Sequence, residues 1–439
     1  MKHWIAGIAL ILSTVAARAE IDIQEITSPG GIDAWLVEER SIPFIALELR
    51  FAGGASLEPA DARGATNLMV GLLNEGAGEL DARGFVQATE SIAARFDFDV
   101  GDDGFAVSAQ FLTETTDEAV ALLRDALVAP RFDPDAIERV RAQVLAGLRS
   151  DSRDPNEIAA RNFDRMAFGD HPYGSALEGT PETVSALTRD DLVAAHQGLI
   201  TRDRVVVAAA GDISAEDLGA LIDVLLADLP ATGAPMPGPA DPQIAGGVTV
   251  VPFDTPQSVA MFGHVGLPRD HPDFFPAFVL NTMFGGGGYE PARLMNEVRE
   301  KRGLTYGVYS YLVPKEHGPL YLGQVSSSND RIAAAIDVVR NEWARIASEG
   351  VTQEELDQAK TYMTGAYPLR FDGNARIAST LAGMQLDGLP ADYVLTRNDT
   401  LNAFTLDDIN RVAASLFDPD ALHFVVVGQP EGLSEQPSQ

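Results

Sequence analysis

Two stretches align without a gap: LTRDDLVAAHQGLITRDRVVVAAAGD, Leu187–Asp212, and FTLDDINRVAASLFDPDALHFVVVGQ, Phe404–Gln429. Thr188 matches Thr405, Asp190 and Asp191 match Asp407 and Asp408, Leu199 matches Leu416, Asp203 matches Asp420 and Gly211 matches Gly428. In each copy a threonine stands where a helix needs a cap, and the aspartates sit where its N-terminal dipole favours negative charge. An apolar strand ending in glycine follows. The pattern predicts a duplicated chain in which each half closes on the same helix–strand unit.

The stretch between the halves supports this division. Residues 229–246, LPATGAPMPGPADPQIAG, are rich in Pro, Gly and Ala and read as a linker. This gives an N-terminal domain at 20–228, a second domain at 247–431 and a polar tail at 432–439 that reads as disordered. The 439-residue length also suits two or three domains at roughly 150 residues each. Within the first half, Ile45, Leu47, Leu49 and Phe51 alternate with Glu48 and Arg50, the signature of a half-buried strand. FAVSAQFL, Phe105–Leu112, is a second strand. Helical periodicity marks TDEAVALLRDALVA, DPDAIERVRAQVLAGLRS and TRDDLVAAHQGLI, and RVVVAAAG is an apolar strand. Strands and helices mix without strict βαβ alternation. The fold class is therefore α+β, in two duplicated domains.

Composition narrows the function. The net charge is −32, so a phosphate backbone would be repelled and nucleic acid is an unsuitable partner. The acidity serves solubility or an acidic chamber that favours basic peptides. The N-terminus, MKHWIAGIALILSTVAARAE, has a basic start, an apolar run from Trp4 to Val15 and a small-x-small site at Ala17–Ala19. It reads as a signal peptide over 1–19, placing the mature chain in the periplasm without a membrane span. The absence of cysteine excludes disulfides and thiol chemistry.

Candidate chemistry is sparse. The seven histidines, His3, His171, His196, His264, His271, His317 and His423, show no three- or four-residue spacing suited to zinc. FGGGGYEPARL, Phe284–Leu294, lacks the preceding strand and the following Lys-Ser/Thr of a phosphate loop, so its glycines read as a helix end. ARLMNEVREKRGLTYGVYSYL, Ala292–Leu312, reads as a helix ended by Gly303, then a strand from Thr305 carrying Tyr306, Tyr309 and Tyr311. GATNLMVGLLNEGAG, Gly64–Gly78, reads as a helix with Leu68, Met69, Leu72 and Leu73 on its apolar face.

The Arg293–Tyr311 block closely resembles the second-domain signature of the pitrilysin/insulinase/mitochondrial processing peptidase family. GDHPYG, Gly169–Gly174, resembles a first-domain segment of that family, and the duplication and linker match it. The resemblance implies two similar α/β sandwiches, each a mixed, largely antiparallel sheet packed by helices, set as clam-like halves around a chamber. It also implies that Arg299 and Tyr306 are the Arg/Tyr pair that faces substrate across from a zinc site. Active members carry G-x-x-His-x-x-Glu-His on the helix that corresponds to Gly64–Gly78, with a Glu ligand about 75 residues later. Here Asn67 and Gly71 stand at the histidine positions, Val70 at the base and Gly147 at the third ligand. The resemblance therefore implies no metal and no cofactor in this chain. It implies instead a zinc-bearing homologous subunit as partner in a heterodimeric peptidase, with a peptide as substrate. Arg299 would position that substrate in trans, and Tyr306 would stabilise the oxyanion. The alternatives from other classes are a structural or assembly protein and a peptide-binding homodimer.

Overall fold

The computed structural model describes residues 22–433. The leader read at 1–19, and all but the first two residues of the tail read at 432–439, lie outside the described residues. The first half runs β1 (Gln24–Thr27), β2 (Asp33–Glu38), β3 (Phe44–Ala52), α1 (Ala65–Val70), a short ladder β4 (Gly76–Ala77) with β5 (Leu80–Asp81), α2 (Ala82–Ser91), β6 (Arg95–Val100) and β7 (Gly104–Leu112). It continues through α3 (Thr116–Val128), α4 (Pro134–Asp151), α5 (Pro155–Phe168), α6 (Pro181–Ala186), α7 (Arg189–Leu199), β8 (Val205–Gly211) and α8 (Ala215–Leu226). The second half runs β9 (Gly247–Pro252), β10 (Gln257–Val265), α9 (Phe274–Gly285), β11 (Val308–Val313) and β12 (Leu320–Ser328). Then follow α10 (Ile332–Glu349), α11 (Gln353–Ala366), α12 (Asn374–Leu386), α13 (Tyr393–Ala403), α14 (Leu406–Leu416) and β13 (His423–Gly428).

The duplication is written in the strand order. The first sheet is β1-β2-β8-β3-β7-β6 and the second β9-β13-β10-β12-β11, so only β1 lacks a counterpart. Each sheet has one parallel pair, β2 with β8 and β9 with β13, and is otherwise antiparallel. The aligned sequence stretches form α7–β8 and α14–β13. Thr188 and Asp191 make a reciprocal capping box at one helix, and Thr405 and Asp408 make the same box at the other.

Each sheet has its own helices on one face and a helix from the other half on the opposite face. α12 lays Ile377, Ala378, Leu381 and Ala382 over Trp35, Ala46, Ala208 and Ala210 of the first sheet. In the same way, α5 lays Ala159, Phe163 and Ala167 over Val259, Met261, Leu322 and Val425 of the second. The alanines of β3 and β8 keep that face shallow enough for a helix to approach. This cover corrects the expectation of a half-buried β3: Ile45 through Leu49 are all buried. Glu48, expected to face water, lies under α12. Its carboxylate pairs with Arg50 at 2.9 Å, and Arg50 donates to Ser379 Oγ at 3.0 Å. Burial raises the Glu48 pKa, against the lowering pull of the Ser108 hydrogen bond and the Arg50 charge.

The stretch at 229–246 forms no regular element, but it is tied to both halves. Ala234 N donates to Gly198 O at 2.9 Å, Gln243 N to Ala167 O at 2.8 Å and Ala240 N to His317 O at 2.6 Å. GDHPYG lies at the same junction. The Tyr173 hydroxyl donates to Asp103 and accepts from His317 N, while Lys315 pairs with Asp102 and stands 4.4 Å above the Tyr173 ring. No helix among the described residues is long and apolar enough to cross a membrane.

Candidate functional site

The helix expected over Gly64–Gly78 is shorter than its apolar pattern: α1 ends at Val70 and the chain turns before β4. Leu72 and Leu73 still reach the core, from the turn rather than from a helix. The start of α1 is fixed by Gly64 and Glu58. Gly64 has φ +91°, and a Cβ there would come 2.4 Å from Glu178 O. The buried Glu58 carboxylate accepts from Gly64 N at 2.9 Å and Thr66 N at 2.5 Å, satisfying N–H groups that the first turn leaves over. Burial pushes its pKa up, and those amide bonds hold it down in part. Sequence reading missed Glu58, because its capping role depends on a loop folding back.

Of the four positions that the resemblance assigns, Asn67 and Val70 lie on α1, Gly71 just after it and Gly147 on α4. Val70 is 6% exposed and packs in the core, so the base position points away from water. Asn67 is half-buried, and Gly71 is exposed where a Cβ would meet Val140 Cγ1 of α4 at 3.1 Å. Gly147 lies about two turns further along α4, exposed and with open space around it. An amide, a valine and two glycines lack the imidazole and carboxylate donors that zinc requires. These residues do not fit the metal, and no three His, Cys, Asp or Glu groups converge on one elsewhere among the described residues.

Arg299 and Tyr306 both lie on the connection from α9 to β11, in the other half. Arg299 sits on a single widened helical turn, Met295–Glu300, with Val298 in the core and Glu297 buried. Glu297 fixes which of the basic residues in the R-E-K-R run is available. It accepts from Lys301 at 2.6 Å and Arg302 at 2.7 Å. Burial acts to raise its pKa, but these two bonds win and hold it below the usual range. Arg299 remains outside, about half exposed, against Glu300 at 3.5 Å. Tyr306 precedes β11 rather than lying in it, which corrects the strand expected from Thr305. Thr305 pegs the loop, its hydroxyl bonded to Ser326 O at 2.6 Å and Gly307 O at 2.8 Å. Tyr306 itself projects with 88% of its surface exposed. Its neighbours Leu304 and Thr305 are both held to β12, so the ring is presented on a fixed base.

The fold and this site define a duplicated, metallopeptidase-like protein whose own metal positions are empty of ligands. The chain belongs to the insulinase family: residues 35–181 match Insulinase (Peptidase family M16), and residues 186–363 match the Peptidase M16 inactive domain. A Helicobacter pylori protein named non-peptidase homolog YmxG is 27% identical over 394 residues, spanning 89% of this chain and 90% of that one. A Bacillus subtilis protein named uncharacterized zinc protease YmxG is 23% identical over 408 residues, spanning 91% and 96%. The crystal structure of a peptidase M16 inactive domain from Pseudomonas fluorescens superposes with a TM-score of 0.87 at 28% identity, covering 95% of this chain and all of that one. Relatives thus carry both names, and the second half of this chain matches a domain described as inactive.

Proposed function

We propose that this chain is the zinc-less subunit of a periplasmic heterodimeric metallopeptidase, supplying Arg299 and Tyr306 to a homologous partner that carries the zinc. One observation carries the reading. Tyr306 stands exposed on a pegged loop, and Arg299 is exposed on the same connection, while the chain's own α1 and α4 offer no zinc ligand for them to serve. Tyr306 donates its hydroxyl to the oxyanion that develops on the scissile carbonyl, and Arg299 holds a neighbouring peptide carbonyl in register. The base and the metal belong to the partner, so neither subunit cleaves alone.

The test is co-expression with a zinc-motif homologue encoded nearby, followed by zinc analysis and peptidase assays on each chain and on the pair. The expected outcome is activity in the pair only. Tyr306→Phe in the assembled pair lowers turnover by about 10²–10³ without changing assembly. Wild-type turnover from a pair lacking both side chains would make this chain a scaffold, the structural alternative.

A further inference from the structure

Arg299 stands on a turn that differs from the ladder around it by one residue. The ladder enters with ordinary spacing, Asn296 N donating to Ala292 O at 3.0 Å, and leaves with it, Gly303 N donating to Arg299 O at 2.7 Å. Between them Lys301 N reaches Asn296 O at 2.9 Å, five residues back instead of four. The widened stretch is Met295–Glu300. Widened turns are rare, occur mostly as single turns within ordinary helix and are frequent at functional sites. Val298 is fully buried, so packing fixes the phase of the turn at that residue. Closing the turn to ordinary spacing would rotate the residues beyond the change by one residue's step, about 100°. Arg299 comes next, followed by Lys301 and Arg302, so the register decides which cation faces outward.

Close packing does not by itself prevent that change. A cleft of about 470 Å³ runs between the turn and the facing ends of α10 and α11, lined by Asn296, Glu297, Lys301, Arg345 and Glu355 among others. The turn is closed instead by the buried Glu297. Its Oε1 accepts from Lys301 Nζ at 2.6 Å and its Oε2 from Arg302 Nη1 at 2.7 Å. The same Nη1 donates to Glu297 O at 2.7 Å, a carbonyl that the end of the helix leaves over. These charge-assisted bonds tie a residue before Arg299 to two residues after it, across the widened step. Glu342 of α10 faces Glu297 as a second buried acid and pairs with Arg345, while Arg293 is engaged by Glu355 at 2.5 and 2.8 Å. Lys301 and Arg302 are the cations that hold Glu297.

We propose that Glu297 is a latch that keeps Met295–Glu300 in the widened register, which makes it a positioning residue for Arg299. Released, the turn closes to ordinary spacing and carries Arg299 away from the direction it now faces. The effect on catalysis rests on the reading of Arg299 as a substrate-holding residue; the latch itself does not.

The test has two arms. In the chain alone, amide hydrogen exchange is compared between wild type and Glu297→Gln, which keeps the size of the side chain and loses its charge. The amides of Lys301 and Gly303 should exchange about tenfold faster, with those of β12 unchanged; unchanged exchange at Lys301 and Gly303 overturns the latch. If Glu297→Gln loosens the whole second half, Lys301→Ala/Arg302→Ala decides by the same measurement, because it removes the same bonds from half-exposed positions. In the pair with the zinc-bearing homologue, Glu297→Gln should lower kcat/KM about tenfold, dividing between kcat and KM as Arg299→Ala does. It should cost nothing further in the Arg299→Ala background, whereas a loss that adds in full to that of Arg299→Ala overturns the positioning role. A wild-type pair without activity sinks the reading of Arg299, and the exchange arm still decides the latch.

Discussion

Leu381→Ala should destabilise both halves, although the residue belongs by sequence to the second and by packing to the first. Leu381 is fully buried between α12 and the first sheet. Deleting its isobutyl end loses transfer energy and leaves a cavity, which costs about 2–5 kcal/mol in such sites. With an m-value of about 3 kcal/mol per molar urea, a loss of about 3 kcal/mol moves the midpoint by about 1 M. Two tryptophans separate the halves: Trp35 lies beneath α12 on the first sheet, and Trp343 lies in the second core. Urea unfolding of the chain from Glu20 onward, carrying Trp343→Phe or Trp35→Phe, therefore reads each half alone. Because α5 and α12 are exchanged, unfolding one sheet strips a helix from the other, and both signals should shift together. Phe163→Ala on α5 is the mirror test. If Leu381→Ala moves only the Trp35 transition, the halves are energetically independent and the coupling argument fails.

Val70→Glu should destabilise the fold by several kcal/mol, because it places a carboxylate in the core without a partner; an unchanged melting temperature would show that α1 can turn. Thr188→Ala and Thr405→Ala should each cost about 1 kcal/mol, and similar losses in equilibrium unfolding would show that the two capping boxes are energetically alike. Burial raises Asp164 to about 6, above its unfolded range, with Lys315 opposing the rise. The folded state then holds the proton more tightly, so this contribution is present at low pH and lost as pH rises from about 4 through about 6. Asp164→Asn should accordingly melt with wild type at pH 4 and above it at pH 7.5; the reverse order would mean that Lys315 dominates.

What the sequence disclosed was local and repeated. The capping boxes at Thr188 and Thr405, the strand at Phe105–Leu112 and the two glycine-ended strands depend on residues within a few positions of one another. The insulinase resemblance was legible from Arg293–Tyr311 because helix, turn and aromatic segment are contiguous. The helix exchange was not legible. Periodicity shows that a helix has an apolar face but not which sheet covers it, and Glu48 and Arg50 mimicked a solvated face. The reach of α1 was overestimated because Leu72 and Leu73 are buried from a turn, which apolar spacing cannot distinguish from a helix. The Glu58 cap was invisible, since it depends on a loop folding back onto the start of α1.

The positions that the family resemblance singles out differ in what the fold asks of them. Gly71 and Gly147 are exposed and Asn67 is half-buried, so ligand side chains could leave those positions with little cost to packing. Val70 is the exception: it is part of the core, so packing alone accounts for an apolar residue there. Arg299 and Tyr306 pose the converse case. Glu297 is held by Lys301 and Arg302, and the loop by Thr305, so neither the exposed guanidinium nor the exposed phenol is needed to stabilise this region. Folding energy accounts for Val298, Glu297 and Thr305 and leaves Arg299 and Tyr306 without a structural reason. The proposed partner would use that presentation on a fixed base, which is why the decisive measurement is made on a complex.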